Sequence, residues 1–215
     1  MLDFEFMLRI APDMLAALWM TVRISLLVVL LSIFLGAVLT ALRMLGGRLA
    51  RGAVVAFVEF TRGVPPLVHI SIVYFLLPEI GVVLTEFWTG VVALSLVGAG
   101  YTVEIFRGSI ETLGRGQSDA ARALGLSSLH TFFLILLPQA ARRSLPPLTN
   151  ELANVIKASS LLSVISVNEL TKVANDLIFV HFVVIEVLIQ LTLLYMIVVG
   201  TLMAFSRWLE ARLQS

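Results

Sequence analysis

Five long apolar runs, separated by short polar clusters, organise this chain of 215 residues. They cover residues 15–42, 54–77, 88–106, 131–165 and 182–205. A helix that crosses a bilayer needs about 20 mostly apolar residues, so the pattern predicts about five transmembrane helices. The first and last runs are the cleanest, because residues 24–42 and 187–206 carry no charge. The second is interrupted by Arg62, Gly63, Pro65 and Pro66, and the fourth by Pro138, Pro146 and Pro147. Proline removes a backbone donor, so breaks or kinks are expected in both.

Composition agrees: 59% of residues are hydrophobic and only 13% charged, more grease than a soluble domain of this size buries. A formal net charge of +1 supplies no concentrated cationic face for a nucleic acid. The absence of cysteine excludes disulfides, thiol chemistry and thiolate metal sites. His69, His130 and His181 show no metal-ligand spacing, so no metal site is expected. Asp3 and Glu5 stand where a secretory signal would be positive, which favours a retained first helix over a cleaved signal.

Charge then orients the spans. Arg43, Arg48 and Arg51 follow the first run, Arg107, Arg115, Arg122, Arg142 and Arg143 lie between the third and fourth, and Arg207 and Arg212 follow the fifth. These are ten of the fifteen basic residues. The opposite connections carry only Lys172 against Glu79, Glu86, Glu169 and Asp176. Basic loops stay cytoplasmic, so the N-terminus is expected outside and the C-terminus inside. One transmembrane domain over 1–215 is expected.

The connection between the third and fourth runs contains SDAARALGLSSLHTFFLILLP, residues 118–138. Ser118 can cap a helix, Asp119 suits its positive end, Ala120 and Ala121 favour it, and Gly125 suits the left-handed residue that ends one. A short helix of about two turns is expected, with Ser127 or Ser128 capping the next.

The run Asp119-Ala120-Ala121, three residues, Gly125, nine residues and Ile135-Leu136-Leu137-Pro138 resembles the EAA loop of ATP-binding-cassette (ABC) importer permeases. Glu59 to His69, EFTRGVPPLVH, Tyr101 to Ile110, YTVEIFRGSI, Pro138 to Ala141, PQAA, and Asn150 to Ile165, NELANVIKASSLLSVI, are similar to segments of the polar amino acid subfamily. The resemblance implies an all-α integral membrane protein with the type I importer permease fold, in a bacterial inner membrane. It implies that a loop at about 114–138 couples to a cytoplasmic ABC ATPase dimer, through Asp119, Ala120, Ala121 and Gly125. Asp119 stands where the family usually has glutamate, one methylene longer. The implied partners are those ATPases, a second permease copy or a homologous permease, and an extracytoplasmic substrate-binding protein. ATP and Mg belong to the ATPase: Lys157 and Lys172 follow isoleucine and threonine, so the phosphate-cradling G-x-x-x-x-G-K-[S/T] is missing. The chain is not expected to be an enzyme or to bind a cofactor itself.

Ionised groups inside a bilayer cost about 2.5 to 3.5 kcal/mol on insertion scales, so polar residues in the spans should face protein or water. Pro147, Asn150, Glu151, Asn154, Lys157 and Ala158 recur at three- and four-residue spacing, making one helical face. An amino-acid zwitterion needs a cation or helix N-terminus for its carboxylate and acceptors for its ammonium. Lys157, Ser159 and Ser160 could meet the first need, and Glu151, Asn150 and Asn154 the second. Equally open is that Glu151 and Lys157 hold two permease chains together. Subfamily members often carry an acidic residue after the lysine; Ala158 here weakens the case for a basic amino acid. Arg62 and Pro65 mark a kink beside the path, with structural and substrate roles both open. Glu104, Arg107 and Glu111 read as a structural ion-pair ladder, and Glu186 and Gln190 as facing a neighbouring helix.

The expected function is the path-forming permease subunit of an importer for a polar amino acid. The alternatives are the same machine for another zwitterion, an ectoine-like solute or an opine, and a secondary carrier. An intramembrane enzyme ranks last, because no serine–histidine, paired-aspartate or HExxH arrangement occurs.

Overall fold

The computed structural model describes residues 2–113 and 115–214, without the side chains of 115, 209, 210, 213 and 214. Among the described residues every regular element is helical. Helix α1, Phe4–Leu45, is 42 residues long, starting well before the expected residue 15. Asp3 makes that possible: its carboxylate accepts the Phe6 N–H at 2.9 Å, capping the first turn.

The second apolar run is not one span. Helix α2, Arg48–Gly63, and helix α3, Pro66–Glu79, meet at a bend of 108°. Val64 is extended at the junction, as a residue before proline prefers. Pro66 opens α3, where its missing N–H costs least.

Helix α4, Glu86–Glu111, is the centre of the molecule and packs against α1, α2, α3 and the later helix α7. Its approach to α2 is close enough that a Cβ on Gly100 would lie 1.9 Å from Thr61 Oγ1. Only glycine fits there.

Helix α5, Arg115–Ala123, and the single turn α6, Ser128–His130, follow. A π turn, Thr131–Leu136, then leads into helix α7, Leu137–Ala158. The expected breaks at Pro138, Pro146 and Pro147 do not occur. Pro138 sits in the first turn of α7, and Pro146 and Pro147 lie inside it. Their missing donors would have served the carbonyls of Arg142 and Arg143, which are exposed residues, so the cost of continuing the helix is low. A 3-10 segment, Ser159–Ile165, helix α8, Leu170–His181, and helix α9, Ile185–Gln214, complete the chain.

By length and composition three helices can cross a membrane: Phe4–Leu45, Glu86–Glu111 and Ile185–Trp208, with α2 and α3 together as a fourth. The fourth expected run is not among them, because α7 carries Arg142, Arg143, Glu151 and Lys157 and is divided from the apolar stretches at either end.

Candidate translocation path and coupling segment

Helix α7 turns Glu151, Asn154 and Ala158 toward Val97 and Tyr101 of α4 and Pro66 of α3, around a cavity of about 200 Å³. Most of its wall is apolar. Its polar groups are the Glu151 carboxylate, which accepts from Asn154 Nδ2 at 3.5 Å, and the Tyr101 ring with its hydroxyl. Among the described residues no cation lines the cavity.

The other residues of the predicted polar face lie elsewhere. Asn150 and Lys157 are exposed on α7, away from the cavity lining. Ser159 Oγ donates to the Ile156 carbonyl at 2.8 Å, and Ser160 Oγ to the Lys157 carbonyl at 2.7 Å. Both hydroxyls are thereby spent on closing the helix end. Pro65 precedes α3, and its carbonyl lies 3.2 Å from His69 Nδ1.

Arg62 joins an ion cluster rather than the cavity. Its Nη1 lies 3.9 Å from Glu104 Oε2, and its guanidinium 5.6 Å from the centre of the Tyr101 ring. Glu104 also pairs with Arg43, at the end of α1, and with Arg107 at 2.8 Å. Arg107 reaches Glu111 at 2.6 Å, completing the ladder read from spacing. Arg43 was missed, since nothing local links it to a residue 61 positions away.

The candidate coupling segment keeps its predicted shape. Gly125 takes φ +74°. Its N–H donates to Arg122 O at 3.0 Å, and the Leu126 N–H donates to Ala121 O at 3.0 Å, the paired bonds of a glycine-terminated helix. Ala121 is buried and Ala120 exposed, and Asp119 pairs with Arg122. One detail differs: the helix is already formed at Arg115, so Ser118 lies inside it rather than capping it. Ser127 caps the next turn as expected, accepting the His130 N–H. Residue 114, the expected start of the loop, lies outside the described residues.

Sequence reasoning also missed Glu169, which it counted as a loop charge. Glu169 is fully buried. Its carboxylate accepts the N–H of Lys172 at 2.7 Å, the N–H of Thr171 at 3.0 Å and the Tyr195 hydroxyl at 3.2 Å. Burial pushes its carboxyl above the ordinary range, against those hydrogen bonds. Glu169 caps α8, but glutamate is not one of the residues that mark an N-cap in sequence, and its burial was not readable either.

The family described as "binding-protein-dependent transport system inner membrane component" matches residues 10–215. The chain belongs to that family. This permease is 34% identical over 197 residues to the glutamine transport system permease protein GlnP of Escherichia coli (strain K12), covering 91% of this chain and 90% of that one. It is 30% identical over 220 residues to the nopaline transport system permease protein NocM of Agrobacterium fabrum, covering 96% and 91%. It superposes on the crystal structure of an amino acid ABC transporter with histidines at a TM-score of 0.90, with 28% identity and 99% of both chains covered. The permease therefore has the all-helical fold of ABC type I importers and is a membrane-spanning permease subunit.

Proposed function

We propose that this permease forms the translocation path for a polar amino acid and couples it to ATP hydrolysis on a separate ATPase dimer, which holds the ATP and Mg. The observation that carries this reading is the Glu151–Asn154 pair on the wall of an otherwise apolar cavity. A carboxylate without a cationic partner offers a strong acceptor to a substrate ammonium, and the apolar wall accepts an uncharged side chain. One relative is named for transport of glutamine, a polar amino acid, and another for nopaline, an opine built from an amino acid; the first supports the class directly. A secondary carrier has no use for the coupling segment. The further partners are a second permease chain and an external binding protein that delivers substrate.

The test is ATP-driven uptake by the complex in liposomes, with a panel of polar L-amino acids delivered by the binding protein. Glu151→Gln should weaken apparent affinity roughly ten- to a hundredfold, the worth of a charged hydrogen bond of about 1.5–3 kcal/mol. Lys157→Met should leave it near normal, because Lys157 does not line the cavity. The reverse ranking would remove Glu151 from the site.

Orientation belongs to the same reading, with the N-terminus outside and α5 inside. Single cysteines replacing Glu79 and Asp176 should react with an impermeant thiol reagent from outside, and one replacing Leu124, which is 80% exposed, should not. A reactive Leu124→Cys with silent outer positions would invert the topology.

A further inference from the structure

The π turn between the coupling segment and the path helix is unaccounted for by anything above. The Leu137 N–H bonds to the carbonyl of Phe132, five residues back, where an α-helix would reach four. Such turns are rare and carry one extra residue in the helical ladder. Local sequence gives a reason to find it here. Phe132, Leu136, Ala140 and Ser144 are all buried, a spacing of four. At 3.6 residues per turn that stripe would drift by roughly 120° from Phe132 to Ser144 in a pure α-helix. The wider turn takes up the drift and keeps Phe132 on the buried face, against Ile110 of α4 and Met44 and Leu45 of α1.

The extra residue falls next to Pro138, whose missing N–H would leave a carbonyl unserved in either register. That carbonyl belongs to Leu134 or Phe133; Gln139 adds a side-chain donor to the neighbouring one within the turn, Nε2 bonding to the Ile135 carbonyl at 2.9 Å. Beyond it, Ser144 Oγ lies 2.9 Å from Ser109 Oγ and Arg143 Nη1 donates to Thr112 O at 2.8 Å. These contacts pin the α7 side of the turn to α4, while α5 packs directly on the turn itself.

We propose that the π turn, held by Gln139, sets the rotational phase of α5 against α7, and that Gln139 is a positioning residue for coupling. This rests on the reading of α5 as the coupling element. In an α register every residue before the turn would rotate by roughly 100° relative to α7, and α5 would present a different face to its partner.

Deletion and substitution at one position separate phase from side chain. Leu134 is 66% exposed, so Leu134→Ala removes its side chain and keeps the residue count, while deletion of Leu134 returns the turn to α geometry. The complex with its ATPase and binding protein is assayed in liposomes with L-glutamine as the probe. The deletion should lower binding-protein-stimulated ATP hydrolysis to the basal rate, and Leu134→Ala should not. Gln139→Met should reduce stimulation roughly two- to tenfold, the worth of one hydrogen bond, with Gln139→Lys recovering part of it by restoring a donor. Should the deletion variant not assemble, spin labels at Leu124 and Arg142 still decide the matter in the assembled Gln139 variants. Their separation should broaden or shift in Gln139→Met and return toward wild type in Gln139→Lys. Normal stimulation in the deletion, or an unchanged separation with normal stimulation in Gln139→Met, overturns the proposal. Gly125→Val distinguishes the two levels: if it uncouples while the deletion does not, only the phase assignment fails. If neither uncouples, the coupling reading of α5 fails with it.

Discussion

Two carboxylates on opposite sides of the permease are stabilised in opposite ways. Glu104 is ringed by cations: Arg43, Arg107 and, at longer range, Arg62. Glu169 is more deeply buried and its carboxylate receives only backbone N–H groups and a hydroxyl. The first arrangement ties three helices, α1, α2 and α4, together by charge, and each arm remains part-exposed. The second holds the start of α8 by local dipoles, which water and salt do not reach. A carboxylate ringed by arginines has its acceptor capacity taken up by them, whereas Glu151, which accepts from the Asn154 amide, is the one we propose meets substrate.

The largest test of this contrast is Glu169→Ala. It leaves two part-buried N–H groups and the Tyr195 hydroxyl with a lost acceptor, so stability should fall by about 2–3 kcal/mol, with reduced yield of folded permease. Glu169→Gln keeps one acceptor oxygen and should lose less. Thermal unfolding in detergent measures both, and equal stability of Glu169→Ala and wild type would mean the hydrogen bonds contribute nothing.

A second test uses pH. Burial raises the native value for Glu169 above the ordinary unfolded one of about 4.3. The folded state therefore binds the proton more tightly. Its stabilising contribution is complete below the unfolded value and is lost as pH rises through the native one. Relative to Glu169→Gln, wild type should lose stability on going from acid toward neutral pH. A flat difference would place the carboxyl in a water-like setting.

Glu104→Gln should have a smaller effect, about 1–2 kcal/mol, because its partners retain contact with water. Here salt discriminates. With a screening length of about 8 Å at physiological ionic strength, the loss should shrink as NaCl rises, while the loss in Glu169→Ala should not. Equal salt responses would erase the distinction.

Legibility followed sequence distance. The shape of the segment around α5 could be read because its signals are local: Gly125 ends α5 within a few residues of Asp119 and Ala121. Prolines were readable as constraints but not as outcomes. Pro65 and Pro66 join helices that meet at 108°, whereas Pro146 and Pro147 pass unnoticed within α7, and the difference lies in which carbonyls lose a donor and whether they are exposed. Of the predicted polar face, Glu151 and Asn154 reach the cavity while Asn150 and Lys157 do not, because a helical face is wider than the groove it borders. The pairings of Arg43 with Glu104 and of Tyr195 with Glu169 come from packing between distant segments, which periodicity along one helix does not encode.

The sharp bend between α2 and α3 also divides the permease's freedom to diverge. Arg62 belongs to the ion cluster, and Pro66, one helical turn later in sequence, belongs to the cavity wall. Because the chain turns by 108° between them, a substitution at Pro66 can reshape the cavity wall while the arginine anchor stays in place. The corner thus separates the wall of the proposed path from the internal ion cluster.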